Sequence, residues 1–397
     1  MNFKSSTLFK IADNVSNDVK YKVKSIFYKW KHPDIDRNKI MLAAFQGKYS
    51  CNPKAICQEI IREKLPYRLV WAINEENKDD VYPNELKLVV KGTREYYEEL
   101  TTARILIDNS NNLSRKFCYE KKKDQIYFQT WHGSMGLKRM AFDRGLISRV
   151  MLRKTKKYQG YVDYCISNST FETELFRQTY WPEATILEYG HPRNDILFAP
   201  EDSAEVKALK QRVNAYFRLQ GDEKIFLYAP TFREIKLEWK PMDYAAVRQA
   251  LIRKFGGTWV IIVKLHHRER ALNQSIRENA EILDATYYDD IQDLVRVASV
   301  GVTDYSSWIC DYVLMSKPAF LYAPDLQEYT SNDRGFAYPL EETPFAVTES
   351  TEELIAAIQD FDLQRYEAKR QEFLKRRGCR ENGNAAYKTV QKIREVI

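Results

Sequence analysis

At 397 residues, 44% hydrophobic and 29% charged, the chain is long enough for two domains and has the balance of a soluble globular protein, which excludes a disordered or fibrous one. No stretch approaches the roughly 18 to 20 consecutive apolar residues of a membrane span, and Met1 to Lys20 lacks the apolar core of a signal peptide, so a cytoplasmic protein is expected. Six scattered cysteines (Cys51, Cys57, Cys118, Cys165, Cys310, Cys379) form no Cys-x-x-Cys pair, and the five histidines have no ligand-like spacing, which argues for reduced thiols and against a metal cage.

In chain order, strands are predicted over Lys39 to Phe45, Arg68 to Ile73, Leu86 to Val90, Arg104 to Ile107 and Ile126 to Gln129, with helices over Pro53 to Lys64 and Thr93 to Thr101. The pattern resumes with a strand at Tyr164 to Ser167, a helix at Phe171 to Gln178 and a strand at Thr185 to Tyr189. A polar, proline-containing stretch from His191 to Asp202 then separates a second series. Its strands are Lys224 to Tyr228, Trp259 to Lys264, Val300 to Thr303 and Ala319 to Tyr322, and its helices Val206 to Leu219, Tyr244 to Phe255, Ile291 to Ala298 and Trp308 to Met315. Alternating strands and helices imply parallel sheets covered on both faces, and the two series imply two doubly wound, Rossmann-like α/β domains facing a cleft. Ligands in that architecture sit beyond the carboxyl ends of the strands.

The polar loops at those ends carry a consistent set of residues. Gln129-Thr130-Trp131-His132-Gly133 follows a strand, and its histidine is either poised to move a proton or a satisfied structural residue. In His191-Pro192-Arg193-Asn194-Asp195, Arg193 either reaches a phosphate bidentately or holds Asp195 in a local ion pair. Tyr228 to Arg233, Lys264 to His267 and Asp333-Arg334-Gly335 place further cations or imidazoles past strands. Thr303-Asp304-Tyr305-Ser306-Ser307, with Asp311 beyond, joins a strand to a helix. Unpaired N–H groups and the helix field favour an anion there, while an ordinary serine N-cap is the alternative.

The net charge of +7 is uneven. Between Lys138 and Lys157, eight basic residues face only Asp143, and Leu146, Ile147, Val150 and Met151 recur at helical spacing. Such a helix either lies on anionic lipid or packs its apolar face on the domain. A second basic cluster, Lys369 to Arg380, reads as a solvated helix face. Nucleic acid is excluded as a partner, since only Phe142 interrupts the first basic run where aromatics would be wanted for stacking.

Taken in order, QTWHG (Gln129 to Gly133), HPRND (His191 to Asp195), YAPTFR (Tyr228 to Arg233), KLHH (Lys264 to His267), TDYSS with Asp311, RGF (Arg334 to Phe336) and the upstream segment Gly47 to Lys54 resemble the CDP-glycerol glycerophosphotransferases of teichoic acid synthesis and their CDP-ribitol-using relatives. The resemblance spans about residues 40 to 340. It implies a fold of the GT-B type: an acceptor-side domain over 1–195 with a membrane-facing basic segment, a CDP-alditol-binding domain over 196–375, and a last helix within 376–397 crossing back to the first domain. It implies His132 as catalytic base, His266 as a phosphate or transition-state contact, and Ser306, Ser307, Asp311 and Thr303 around the donor, with Arg193, Arg233 and Arg334 as further anion ligands. It implies no cofactor or metal, and a CDP-glycerol donor with a lipid-linked saccharide or polyol-phosphate acceptor. The enzyme would sit peripherally on the cytoplasmic membrane, with a homo-oligomer as a further expectation. A CDP-ribitol ribitolphosphotransferase, or a GT-B glycosyltransferase with a nucleotide-sugar donor, is the alternative. Two departures stand out: the long family polymerases carry a sizeable N-terminal extension, whereas about 35 residues precede the first strand here, and the family often has arginine at Lys264 and an aromatic residue at His267.

Overall fold

Short runs of apolar residues form two parallel sheets in a computed structural model that describes residues 3–110, 113, 118–137, 149–231, 242–265, 279–332 and 335–397. The first sheet contains β1 (Asp36–Ala43), β2 (Arg68–Ile73), β3 (Leu86–Val90), β4 (Ala103–Asp108), β5 (Ile126–Gln129), β6 (Tyr164–Ile166) and β7 (Thr185–Leu187), in the order β3-β2-β1-β4-β5-β6-β7. The second contains β8 (Lys224–Tyr228), β9 (Trp259–Val263), β10 (Ile282–Asp284), β11 (Val300–Thr303), β12 (Ala319–Tyr322) and β13 (Ala346–Thr348), in the order β10-β9-β8-β11-β12-β13. Each order reverses once, between β1 and β4 and between β8 and β11, and those reversals are where a doubly wound sheet opens a crevice for ligand.

The strands read as unbroken apolar runs because both faces are covered. In β2, five of the six side chains are buried. Alternate residues serve opposite cores: Met41, Ala43, Val70 and Leu106 join one, while Ile40, Leu42, Trp71 and Ile107 join the other. The second sheet does the same with Ile225 and Leu227 against Phe226 and Tyr228. Each such aliphatic or aromatic side chain contributes roughly 1.5–3 kcal/mol of burial.

The final helix, Ala385–Val396, returns to the first sheet. Its Val390 and Ile393 are fully buried in the core that holds Ile40, Leu42 and Trp71. Asp195 fixes the start of this helix by accepting from the backbone N–H groups of Ala385 (2.9 Å) and Ala386 (2.7 Å). The carboxylate therefore satisfies donors that the helix leaves orphaned.

Several expectations need correction. The helix expected over Trp308 to Met315 shrinks to Ile309–Tyr312, because i to i+3 bonds such as Cys310 N–H to Ser307 C=O and Leu314 N–H to Asp311 C=O take over on both sides. The helix expected over Phe171 to Gln178 is regular only over Thr170–Leu175 and then widens into a π-turn, Phe176–Tyr180. The short strands β10 and β13 and the 29-residue helix Phe3–Lys31 were not anticipated. The cluster Lys369 to Arg380 is not simply solvated: Arg370 is buried and donates to the Val313 carbonyl at 3.0 Å, and the Arg377 guanidinium lies 3.6 Å from the centre of the Tyr338 ring.

Candidate active site

His132 stands at the switch point of the first sheet. Its ring lies edge-on to Phe45, just past β1, with centroids 4.3 Å apart, and its Nδ1 is 2.6 Å from the carbonyl oxygen of Asn109, just past β4. A carbonyl only accepts, so Nδ1 carries the proton and Nε2 keeps its lone pair. Burial and the neighbouring Arg193 cation push the imidazole down to about 4, against the pull of the Asn109 hydrogen bond. The ring is therefore neutral at physiological pH, with Nε2 available to take a proton.

The loop around His132 is held from several directions. Trp131 sits at φ 53°, a left-handed conformation unusual for a bulky residue. It is kept there by Gln129, whose side-chain oxygen accepts from Trp131 N–H at 2.9 Å, and by the Asn52 amide, which donates to the Thr130 and Trp131 carbonyls at 2.8 and 3.1 Å. The indole is wedged among Phe176, Tyr180 and Trp181. A Cβ on Gly133 would come within 2.8 Å of the Trp131 indole nitrogen, so only glycine fits next to His132 without displacing that ring.

Arg193 ties this loop to the other half of the chain. One guanidinium nitrogen donates to the His132 carbonyl at 2.6 Å, and the other reaches Asp311 at 2.8 Å and the Gly133 carbonyl at 3.3 Å. Of the two sequence alternatives for Arg193, the ion pair with Asp195 is not what the structure contains; its carboxylate partner is Asp311. Asp311 is buried, and its second oxygen accepts from the Asn194 amide at 2.9 Å. Both of its oxygens are thus occupied within the protein. Asn194 also donates to Glu381 at 2.7 Å, and Glu381 accepts from the His191 N–H at 3.1 Å. Burial pushes the Glu381 carboxyl up to about 7. Burial lowers the His191 imidazole, but the charge and hydrogen bond of Glu172, 3.0 Å from the ring, together raise it.

Across this polar hub sits the turn after β11. Asp304 is buried and folds back to accept from the Thr231 N–H at 2.8 Å, which joins the ends of β8 and β11 at the second switch point. Thr303 spends its hydroxyl on the Ala229 carbonyl at 2.7 Å, so it acts as a tie of the turn. Ser306 and Ser307 are half-buried, and neither hydroxyl has a hydrogen-bond partner among the described residues. The short helix that follows starts from Trp308 with no side-chain cap, so the serine-cap alternative is not what the structure contains. Tyr305 between them is anchored by stacking on Tyr329 and by donating to Asp325 at 2.8 Å.

His266, His267, Arg233 and Arg334 lie outside the described residues. Lys264 is described: burial pulls its ammonium down to about 8, and it donates to the carbonyls of Ala285 (3.1 Å) and Tyr288. Three side chains that the sequence did not single out belong to the site. Asn52 and Asn194 are buried struts, and the buried side-chain amide of Asn109 has no partner among the described residues. These asparagines carry no spacing that would distinguish them from turn residues.

Ion pairs join the two halves here, Lys48 with Asp289 (2.7 Å) and Lys54 with Asp290 (2.8 Å), beside Arg212 with Asp293 (2.9 Å) within the second half. A cavity of about 770 Å³ lies there, lined by Lys54, Arg62, Arg212, Asp290 and Asp293 among others. It contains neither His132 nor the serines, and its cations are already paired with acids.

The family model described as CDP-Glycerol:Poly(glycerophosphate) glycerophosphotransferase matches residues 25–395. The chain is 30% identical over 372 residues to the teichoic acid poly(glycerol phosphate) polymerase of Staphylococcus epidermidis, covering 90% of this chain but 50% of that one. It is 28% identical over 380 residues to the teichoic acid glycerol-phosphate transferase of Staphylococcus aureus, covering 90% and 93%. The first relative is thus spanned over only half its length. Among solved structures, the wall teichoic acid polymerase TagF superposes with a TM-score of 0.78 at 28% identity, over 99% of this chain and 98% of that chain. A histidine variant of TagF soaked with CDPG superposes with a TM-score of 0.80 at 27% identity. The two facing Rossmann-like halves are therefore of the GT-B type. With residues 25–395 matched and a relative at 30% identity over nine-tenths of the chain, the chain belongs to the CDP-glycerol:poly(glycerophosphate) glycerophosphotransferase family.

Proposed function

We propose that this chain transfers glycerol phosphate from CDP-glycerol to a hydroxyl of a lipid-linked, teichoic-acid-type acceptor and releases CMP. The observation that carries the reading is the pairing, across one buried Arg193–Asp311 bridge, of a neutral imidazole with its Nε2 free and two serine hydroxyls with no partner among the described residues. Nε2 of His132 takes the proton of the acceptor hydroxyl as its oxygen bonds to the glycerol-bearing phosphorus. The bond from that phosphorus to the bridging oxygen breaks, and CMP leaves with the electron pair. Such a displacement depends on positioning and on cancelling charge, which suits the donors of the Ser306–Ser307 turn facing the pyrophosphate. His266, Arg233 and Arg334 are proposed to add cationic contacts to the same phosphates. Asp311 serves in this reading by orienting Arg193, which holds the His132 loop, instead of touching glycerol.

The acceptor's lipid puts the reaction at the inner leaflet. The segment from Lys138 to Lys157 is proposed to touch that surface through its exposed Arg153 and Lys156, since Lys154 and Lys157 are already paired with Asp18 and Glu120. No described helix is long and apolar enough to cross a membrane. The test is to incubate the protein with a synthetic lipid-linked disaccharide and CDP-glycerol, CDP-ribitol or a nucleotide sugar in turn, following CMP and the mass of the product. The reading expects CMP and a product heavier by glycerol phosphate with CDP-glycerol. Turnover with another donor alone would replace it.

A further inference from the structure

Over residues 17–31, the helix Phe3–Lys31 packs by one face against the helix Arg94–Thr102 and the core beside the first sheet. Ser25 is buried, Tyr21 and Tyr28 lie against the core, and Lys24 donates to the Gly92 carbonyl at 3.2 Å. The opposite face is apolar and open: Val19 is 59% exposed, Val23 60%, Ile26 55%, Phe27 48% and Trp30 78%. Steps of three and four residues put these five side chains in one stripe along the helix. At about 100° per residue, Lys22 and Lys29 border that stripe on one side and Lys20 and Lys31 on the other.

Exposed apolar residues scattered singly need no explanation, but five in a line on one helix do. The lysines say what covers them. Residues 17–31 hold five lysines and one acid, Asp18, and that acid is paired with Lys154. Lys20 and Lys22 are exposed and have no acid within ion-pair distance among the described residues, whereas Lys31 lies 3.8 Å from Glu98 and Lys29 donates to the Glu120 carbonyl at 3.1 Å. The nearby Glu120 is paired with Lys157, whose helix, Arg149–Gln159, also exposes Arg153 and Lys156. An apolar ridge between cationic rims, with a tryptophan at its most exposed point, matches a surface that is hydrocarbon just beneath a layer of negative charge. A protein partner would have to supply both an apolar groove and acidic rims, whereas an anionic bilayer offers both everywhere.

We propose that the Val19–Val23–Ile26–Phe27–Trp30 stripe lies in the interface of an anionic lipid bilayer, with Lys20, Lys22, Lys29 and Lys31 at the level of the headgroups. This surface is distinct from the segment of Lys138 to Lys157, and it does not depend on the donor or on the reaction. The experiment is flotation of the full chain with phosphatidylglycerol-containing vesicles and with pure phosphatidylcholine vesicles. Wild type is expected to float with the first and not the second. A Val23→Ser/Ile26→Ser/Trp30→Ser variant is expected to lose at least tenfold in partition while keeping its circular dichroism and melting temperature, because no core residue is changed. Brominated lipid should quench Trp30, and the quenching should fall in Trp30→Phe. An Arg153→Glu/Lys156→Glu variant that abolishes flotation while the stripe variant floats like wild type would overturn the proposal, as would wild type that ignores anionic vesicles. A stripe variant that changes from dimer to monomer by light scattering, with vesicle binding untouched, would assign the stripe to a second copy and also overturn it. Vesicle binding without turnover would count against the transferase reading alone.

Discussion

The His132 loop and the Ser306–Ser307 turn stand at corresponding switch points of two similar sheets, yet they are built oppositely. In the first, nearly every backbone group near the imidazole is claimed: Asn52 and Arg193 take the carbonyls of residues 130 to 133, Gln129 the N–H of Trp131, and Asn109 the ring itself. In the second, the anchors are Thr303, Asp304 and Tyr305, and the two serines at the tip have hydroxyls that no described residue claims. In the proposed mechanism a base has to be aimed before the substrate arrives, which an over-determined loop would provide. A turn proposed to bind the donor needs its own donors unspent, which anchors lying just upstream would allow.

Substitutions at four positions, and a pH profile, would break or sharpen that contrast. The largest effect is expected from His132→Ala, with turnover falling about 100 to 10,000-fold while donor affinity holds, by CMP release and by calorimetry. Next is Arg193→Ala, which leaves Asp311 buried without its cation and two carbonyls unpaired; denaturant unfolding should read a loss of about 3–5 kcal/mol. Arg193→Lys should recover only part of this, because an ammonium cannot bridge His132, Gly133 and Asp311 at once. Ser306→Ala and Ser307→Ala should each weaken the donor complex by about tenfold or more, as expected for a hydroxyl bonded to a charged group, without lowering the melting temperature. The smallest effect concerns pH. His132 must be neutral to act, and its folded-state value is depressed to about 4, so the acid limb of kcat/KM should fall near 4 and not near the ordinary 6.5. A limb above 6 would mean that the imidazole is not the group being titrated.

Much of the architecture was legible because its signals are local. The strands at Arg68–Ile73, Leu86–Val90, Lys224–Tyr228 and Ala319–Tyr322 coincide with their apolar runs, and punctuation by Pro, Gly and polar residues marks the loops. What failed is set by tertiary context. The helix after Ser307 is cut short by i to i+3 turns whose sequence reads as helix, and three-residue edge strands such as β10 and β13 carry too few residues for a period. His132 and the serine pair could be found from their places after strands. The partner of Arg193 could not, since Asp311 is 118 residues away and the nearer Asp195 offered an equal charge. Asp195 instead caps a helix 190 residues later, a role that exists only once the final helix has crossed back.

The central claim is a division of labour, with the base in one half and the donor's phosphates held in the other. Single-turnover CMP release from CDP-glycerol, measured against donor concentration for wild type, His132→Ala and Ser306→Ala/Ser307→Ala, tests it most directly. The defect of the histidine variant should persist at saturating donor, while that of the serine variant should largely disappear. Recovery of the histidine variant at high donor, with a serine defect that no concentration relieves, would contradict it.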